Sequence, residues 1–332
     1  MDAEALPRLD ATVVIPTLDG EAYLAAVLDA LEAQVFDGDF EVLVIDSGSR
    51  DGTLPIVRAR PWVRLHEIPH AEFGHGRTRN LGARLARGTV VAFLTQDAIP
   101  AGPGWLSEIS TPLASDVAPG AVLAVVGRQT PRDGCFPLLK YEIQGIFAAQ
   151  GPFDATTIYP RSGDTEDGRN FYSDVNSATL RELLLGEIGY RDVSYAEDIA
   201  FARDVLAAGY RKAYAGRADV THSNDMNLAE YRMRMFEEII ALRRVGAATA
   251  EFGALKMLAH IARGVLLDSV RIVRDPDYGF ARTLYWLGVN PAFHWVRWRS
   301  YYRANRTDLG DQTAIDAASL EQHRERRRSE QA

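Results

Sequence analysis

Short apolar segments alternate with helical patterns through the first hundred residues. Segments 11–16, 41–45 and 89–94 are almost wholly apolar, which is typical of strands buried on both faces. Between them, apolar residues recur at helical spacing from Glu21 to Gln34, and a Gly-rich segment leads into a helix that ends near Ala86. This β-α-β rhythm predicts an α/β fold with a mostly parallel central sheet covered by helices on both faces.

The pattern changes after residue 100. Residues 121–129 predict one more strand, and residues 150–170, rich in Gly, Pro, Asp and Thr, predict a long loop. Helices are predicted at 177–185 and 197–208, and the chain is mainly helical from 227 to about 306.

We divide the chain into two predicted domains. The first covers residues 1–226, in two halves of about 1–130 and 131–226, and the second is a helical region, 227–332, whose tail we expect to be frayed. A chain of 332 residues, of which 47% are hydrophobic and 25% charged, is long enough for one large α/β domain and an appendage.

Composition and charge argue against several classes of protein. The net charge of −8 gives no reason to expect nucleic-acid binding. A single cysteine, Cys135, excludes an internal disulfide and a thiolate metal cluster. No apolar run of about 18 residues predicts a membrane span, and the N-terminus lacks the pattern of a signal peptide. We therefore expect a cytoplasmic protein.

The C-terminal section differs in charge from the rest of the chain. Between Arg232 and Arg306, 13 Lys and Arg stand against 6 Asp and Glu. The same section contains several large aromatic residues: Trp286, Trp295, Trp298, Tyr301 and Tyr302. Such a surface could bind a phosphorylated lipid or lie against an anionic membrane, at the inner face of the cell membrane. Alternatively, the charges form a solvated helical face, and the aromatics pack on the first domain or form a homo-oligomer contact.

Polar residues follow three of the predicted strands. Thr17, Asp46 and Asp97 come where these strands end, and the carboxyl ends of parallel strands meet at one edge of the sheet, where ligands bind. Asp46 could accept hydrogen bonds from a base or a ribose, or form a local turn. Asp97 could bind a divalent cation that bridges two phosphates, or be only a polar residue at the end of a strand.

Three further groups of residues could take part in chemistry. Asp198 follows Glu197 at the start of a predicted helix, which is a rigid position for a catalytic base and also a common place for acids. His222 could ligate a divalent ion, although a single histidine is more often structural. Arg77 and Arg79 could clamp phosphate oxygens. Their Gly-rich segment is neither a P-loop nor a GxGxxG motif, which argues against an ATPase and a dehydrogenase.

The order of these segments resembles the inverting glycosyltransferases of family 2, which have the Rossmann-like GT-A fold. The resemblance extends from residue 11 to about 240 and depends on VVIPT, EVLVIDSGSRDGT, RTRNLGARLARGTVVAFLTQD, AED and the later histidine. It extends to a subgroup of rhamnosyltransferases of cell-surface polysaccharide assembly, through FGHGRTRN, LTQDA, FYSDVNSATLR, YAEDIAFARDVLAAGY and THSND.

The resemblance implies a role for each matching residue. Asp198 would be the general base, and Asp97 and His222 would ligate a divalent cation, Mg²⁺ or Mn²⁺. The nucleotide-sugar contacts would come from Pro16, Thr17, Asp46, Arg77, Arg79, Gln96 and Asp97. Residues 1–130 would then bind the donor and residues 131–226 the acceptor. Thr95 stands where most members have the first Asp of a DxD motif, which leaves one carboxylate for the cation.

The subgroup also implies substrates. The donor would be dTDP-β-L-rhamnose, and the acceptor a hydroxyl of a cell-surface glycan or of a lipid-linked glycan. Two alternatives keep part of this interpretation: a UDP-sugar-dependent glycosyltransferase of the same fold, and a sugar-nucleotide-binding protein without activity. A nucleotidyltransferase is disfavoured because the first loop, TLDGEAY, lacks the Gly-rich signature of that class.

Overall fold

The computed structural model describes residues 9–160, 170–186, 188–193, 196–224, 226–244, 253–320, 322–324 and 326. The predictions for the extreme N-terminus, for most of the tail and for part of the long loop lie outside these residues. The chain groups into two compact units, Met1–Pro131 with Ile143–His222, and Arg132–Glu142 with Ser223–Ala332. A short segment that we assigned to the first domain, Arg132–Glu142, thus groups with the second unit.

The first unit contains one sheet and the helices that cover it. The strands are β1 (Leu9–Thr17), β2 (Phe40–Asp46), β3 (Val63–Glu67), β4 (Gly88–Leu94), β5 (Ile99–Pro100), β6 (Val122–Thr130), β7 (Thr156–Tyr159), β8 (Asn176–Leu180) and β9 (Arg211–Thr221). The helices are α1 (Leu24–Glu32), α2 (Thr53–Arg58), α3 (His75–Leu85), α4 (Trp105–Ser110), α5 (Pro137–Gln150, whose first residues belong to the second unit), α6 (Arg181–Leu185) and α7 (Glu197–Ala207).

The strands form a sheet in the order β3-β2-β1-β4-β8-β6-β9-β5, and β7 also pairs with β9. The pairs β1–β2, β1–β4 and β2–β3 are parallel, as their alternation with helices predicted. β8 runs antiparallel to both β4 and β6, whereas β6 and β9 are parallel. The sheet is therefore parallel in its first four strands and mixed beyond them.

The apolar strands predicted from the sequence form the core of this unit. Val13, Ile15, Val42 and Val44 are completely buried, together with the inner face of α1. Side chains on both faces of β1 and β2 are covered, which is why these strands show no polar alternation in the sequence.

Two predictions of secondary structure are wrong in part. The predicted helix at 177–185 is helical only in α6, because Asn176–Leu180 forms β8, with all five residues buried. β8 lies between β4 and β6, so hydrogen bonds on both edges and burial on both faces outweigh its local helical pattern. The predicted loop at 150–170 includes the short strand β7.

A bulge in β9 sets the position of its last residues. Between Gly127 and Arg128, the register with β9 shifts because β9 contains extra residues there. Asn176 Nδ2 donates to the carbonyl oxygens of Arg128 (2.8 Å) and Ala218 (2.7 Å), so both carbonyls are satisfied inside the protein. The shifted register brings the end of β9 beside the end of β6, directly before His222.

The second unit is helical. Its main helices are α8 (Leu228–Arg244), α9 (Ala254–Arg274), α10 (Phe280–Arg306) and α11 (Gln312–Asp316). Phe136 stacks on Phe293 at 4.3 Å, and Tyr231 packs edge-on against Phe136, which forms one aromatic cluster of this unit. None of the helices in the described residues is both long and apolar enough to span a membrane.

Candidate active site

The carboxyl ends of β1, β2 and β4 meet at one edge of the sheet. Thr17 ends β1 opposite Asp46, the last residue of β2. Because β8 is antiparallel to β4, its first residue, Asn176, lies opposite Leu94 at this same edge. The segment before β8, with Asp174, therefore reaches the edge where the TQD segment follows β4.

Asp46 is held by its own loop. Its side chain is 0% exposed and accepts hydrogen bonds from Thr17 Oγ1 (2.8 Å), Gly48 N (3.0 Å) and Ser49 N (2.8 Å). Ser49 Oγ donates to the same carboxylate at 2.5 Å. The structure thus shows the local-turn role that the sequence also allowed, and this turn shapes the loop at the ends of β1 and β2.

Gln96 joins the end of β4 to the loop after β1. Its Oε1 accepts from Leu18 N (2.8 Å) and its Nε2 donates to Leu18 O (3.0 Å). Before it, Thr95 buries Oγ1 without a hydrogen-bond partner among the described residues. This orphaned hydroxyl stands at the position of the missing first Asp, so a polar ligand would be expected beside it.

Asp97 and His222 are brought together although 125 positions separate them in the chain. Asp97 Oδ2 lies 3.4 Å from His222 Nε2, and the imidazole is buried. His222 Nδ1 lies 3.1 Å from Gln129 Oε1, and Gln129 Nε2 donates to Ser173 Oγ at 3.0 Å. An amide oxygen can only accept, so a hydrogen bond between Gln129 and His222 requires a proton on Nδ1; a neutral imidazole in that tautomer has its Nε2 lone pair free to bind a metal.

Asp97 and His222 suit a divalent cation whose remaining coordination positions are filled by groups from outside the protein. A neutral imidazole and a carboxylate are both good ligands for Mn²⁺, and the carboxylate also suits Mg²⁺. The described residues contain no group of three or more His, Cys, Asp or Glu side chains arranged around a metal position. The protein therefore offers two ligands here, and phosphate oxygens and water would have to complete the coordination.

A buried ion cluster lies under the start of α7. The guanidinium of Arg79, a residue that is only 6% exposed, contacts Glu197 Oε1 through Nη1 (2.7 Å) and Asp174 Oδ2 through Nε (3.0 Å). Asp174 also accepts from Tyr190 Oη (2.8 Å) and Ser177 Oγ (2.7 Å). The cluster joins α3, the start of β8 and the first turn of α7.

Burial and the neighbouring carboxylates raise the proton affinity of Asp198. Burial is the largest cause that raises the pKa of Asp198 well above its usual range, and the negative charges of Glu197 and Asp174 raise it further. The positive charge of Arg79 lowers this pKa, but by less. Asp198 is partly exposed as a residue, and its Oδ1 accepts a hydrogen bond from Ile199 N at 2.8 Å.

The two arginines predicted as phosphate clamps occupy different environments. Arg79 is buried in the first unit, where its guanidinium is paired with two carboxylates. It is therefore not available to contact a phosphate at the surface. Arg77 Nη2 is exposed and lies 3.2 Å from Asp192 Oδ2, an exposed carboxylate. We therefore assign Arg79 to the placement of Glu197 and Asp198, and of the two arginines only Arg77 is exposed.

Two residues of the site escaped the sequence analysis. Asp174 precedes a strand that we predicted to be a helix, so its place at the sheet edge was hidden. Gln129 is the last residue but one of the buried strand β6, and a polar residue near a strand end was the signal that could have identified it. A separate cavity of about 350 Å³, in the second unit between α9 and α10, contains none of the predicted site residues.

Comparisons with known proteins identify the family. The profile of glycosyl transferase family 2 matches residues 12–174. The O-antigen chain rhamnosyltransferase RfbN of Salmonella typhimurium is 31% identical over 235 residues, which cover 68% of this chain and 70% of that protein. The chain belongs to glycosyl transferase family 2. A second relative, the O-antigen chain rhamnosyltransferase WbaN of Salmonella anatum, is 30% identical over 232 residues, 68% of this chain and 70% of that protein.

The fold agrees with this family. The structure of the mannosyltransferase PcManGT from Pyrobaculum calidifontis, in complex with GDP-Man and Mn²⁺, superposes with a TM-score of 0.56 at 21% identity, covering 92% of this chain and 88% of that one. At this level of identity the similarity supports the GT-A fold of the family 2 enzyme and not its substrates.

Replacement of Arg79 by Met should destabilise the protein strongly. The change leaves Asp174 and Glu197 buried without their countercharge, and breaking a buried ion pair typically costs about 3–5 kcal/mol. The matched variant Arg77→Met breaks only an exposed pair, worth at most about 1 kcal/mol. Urea unfolding of both variants measures the difference, and equal losses for the two would contradict the structural assignment of Arg79.

Proposed function

We propose that this protein is an inverting glycosyltransferase that transfers L-rhamnose from dTDP-β-L-rhamnose to a hydroxyl of a cell-surface glycan or lipid-linked glycan. Two observations support catalysis: Asp97 and His222 lie 3.4 Å apart, and the pKa of Asp198 is raised by burial and by its neighbours Glu197 and Asp174. The similarity to two O-antigen rhamnosyltransferases supports the sugar. Such donor and acceptor molecules would meet at the cytoplasmic face of the cell membrane.

The proposed reaction is a single displacement. The Asp198 carboxylate accepts the proton of the acceptor hydroxyl while the acceptor oxygen forms a bond to the anomeric carbon. The bond from that carbon to the diphosphate oxygen breaks, and dTDP leaves with the bonding electrons. Because attack and departure occur on opposite faces of the sugar, the configuration inverts, and no covalent enzyme intermediate is needed.

The remaining residues of the site would hold the donor. We propose that Asp97 and His222 hold a divalent cation, Mg²⁺ or Mn²⁺, whose charge offsets the negative charge that develops on the departing diphosphate. Arg77 would contact the same diphosphate from α3. The loop shaped by Asp46 and Gln96 would accept the nucleoside together with other residues at the end of β1: Pro16 and Thr17.

Donor assays test the proposed function directly. Purified protein should release dTDP from dTDP-β-L-rhamnose when a rhamnan-type or lipid-linked acceptor is present, and the product should be an α-L-rhamnoside by NMR. The matched reaction with UDP-glucose should release no UDP above background. Turnover of a UDP-sugar but not of dTDP-rhamnose would favour the alternative donor, and binding of nucleotide without any turnover would favour a non-catalytic protein.

Replacement of Asp198 by Asn should abolish most of the activity while donor binding persists. Loss of a general base typically costs at least about 100-fold in kcat.

In the wild-type enzyme, kcat should fall as pH decreases through the raised pKa of Asp198, because only the deprotonated form accepts a proton. Glu197→Gln removes one of the charges that raise this pKa, so it should move the acid limb to lower pH. An unchanged rate for the Asn variant would remove Asp198 from the mechanism.

Gln129 should control the affinity for the cation. Gln129→Leu removes the acceptor that holds His222 Nδ1–H, and loss of such a contact typically weakens metal binding about 10- to 100-fold. Titration calorimetry with Mn²⁺ in the presence of dTDP measures this independently of turnover. The control His260→Ala, in the second unit, should leave the affinity unchanged. Equal Mn²⁺ affinity in the wild type and in His222→Ala would contradict the proposed ligand pair.

A further inference from the structure

Helix α9 exposes a continuous apolar stripe. Its large members have exposed fractions from 42% at Val270 to 85% at Leu255. At 3.6 residues per turn, seven exposed apolar positions of this helix fall in a sector about 120° wide: Leu255, Leu258, Ala259, Ala262, Leu266, Val270 and Val273. Leu267 and Ala254 are also exposed and lie outside this sector, one on each side. The opposite side, which includes Met257 and Ile272, is buried within the second unit. The helix is therefore apolar on its buried side and also on its exposed side.

Basic residues border this stripe. Lys256, Arg263 and Arg274 fall within about 20° of one another on the helix, along one side of the stripe, and all three are exposed. Arg271 lies farther round the same side. The one acid of α9, Asp268, is buried and bonded to His294 Nε2 at 2.9 Å. The exposed surface of α9 thus combines apolar and positively charged side chains, and the helix itself adds no exposed acid to that surface.

This charge pattern favours a lipid surface over a second copy of the chain as the partner. In a symmetric dimer through α9, the basic residues of one copy would face the α9 surface of the other copy. That surface has no exposed acid on α9 with which they could pair. A bilayer with anionic headgroups offers a partner for both features: its acyl chains can contact the apolar stripe, and its negative headgroups can pair with the basic residues beside the stripe. With four basic residues among its 21, α9 suits a helix that lies in the interface, about 30 Å long, and not one that crosses it.

The neighbouring helix supplies further exposed apolar side chains. Phe280, Leu284 and Trp295 of α10 are exposed. By contrast, two aromatics that the sequence suggested for an interface are used inside the second unit: Trp286 packs against the Phe293 cluster, and Trp298 stacks on His260 at 4.4 Å. The surface that could meet a membrane is therefore mainly aliphatic and lies on α9, within the basic section that the sequence indicated, whereas the aromatic residues named there all lie on α10.

We propose that α9 docks the protein on a bilayer that contains anionic phospholipid, with its exposed apolar stripe inserted among the headgroups. Docking does not require the proposed sugar transfer, and it would hold the enzyme on the surface where a lipid-linked acceptor resides. The surface and the catalytic edge are made of different residues, so each can be tested while the other is intact.

Vesicle flotation with the full chain tests this proposal. The wild type should float with vesicles of phosphatidylcholine and phosphatidylglycerol, should bind pure phosphatidylcholine much more weakly, and should be released by high salt. Lys256→Gln with Arg263→Gln should weaken binding about 25-fold, since each basic residue near an anionic surface contributes about fivefold. Leu266→Glu with Val270→Glu should lower binding at least about tenfold, because the apolar face can no longer insert.

Matched controls separate docking from general effects. Val35→Glu changes a residue of the first unit that is 72% exposed, and Arg84→Gln with Arg211→Gln removes two exposed charges there; both should bind as the wild type does. Circular dichroism should show equal helix content in every variant.

Absence of wild-type flotation, or flotation unaffected by the α9 variants, would overturn the proposal. A dimer that dissociates in Leu266→Glu with Val270→Glu, without vesicle binding, would assign the stripe to a second copy. Vesicle binding without turnover of dTDP-rhamnose would refute only the proposed function.

Discussion

The buried contact of Arg79 with Asp174 and Glu197 determines how the second half of the catalytic unit is assembled. Each of these three charged groups would have a large desolvation cost if it were buried alone. Their mutual attraction offsets that cost when they are buried together. The contact therefore ties α3 to the start of β8 and to the first turn of α7. Asp198 lies in that first turn, so the same contact that stabilises the fold also positions the proposed base, whose pKa is raised mainly by burial.

The second organising element is the end of β9. Its bulge, supported by Asn176, places His222 beside Gln129 and 3.4 Å from Asp97. Two ligands make a weak site for a free ion, so affinity would depend on the phosphates of the donor. That dependence suits a transferase, because the cation would be bound most tightly when the leaving group that it must neutralise is present. Thr95, with its orphaned hydroxyl at the position of the usual first acid, is consistent with this reduced ligand set.

The differences between the predictions and the structure have identifiable physical causes. NSATL was assigned to a helix because local pattern cannot show that a segment will be paired on both edges; the neighbours β4 and β6 are distant in the chain. Arg79 was a candidate phosphate contact together with Arg77, and its buried pairing with two carboxylates could not be foreseen because guanidinium binds phosphate and carboxylate through the same geometry. Trp286 and Trp298 were considered for an interface because aromatic side chains serve cores and surfaces equally well.

The sequence by itself determined the parallel first half of the sheet, the helical C-terminal region, the family and the polar residues at the strand ends. Apolar continuity is visible within each segment, and the order of the motifs is visible along the chain, without knowledge of which residues meet in space. Only the tertiary structure decided which of those polar residues meet. It joined Asp97 to His222 and took Arg79 into the interior, and it left the α9 stripe exposed. These outcomes depend on burial and on partners that are distant in sequence, and neither can be read from a residue's own neighbourhood.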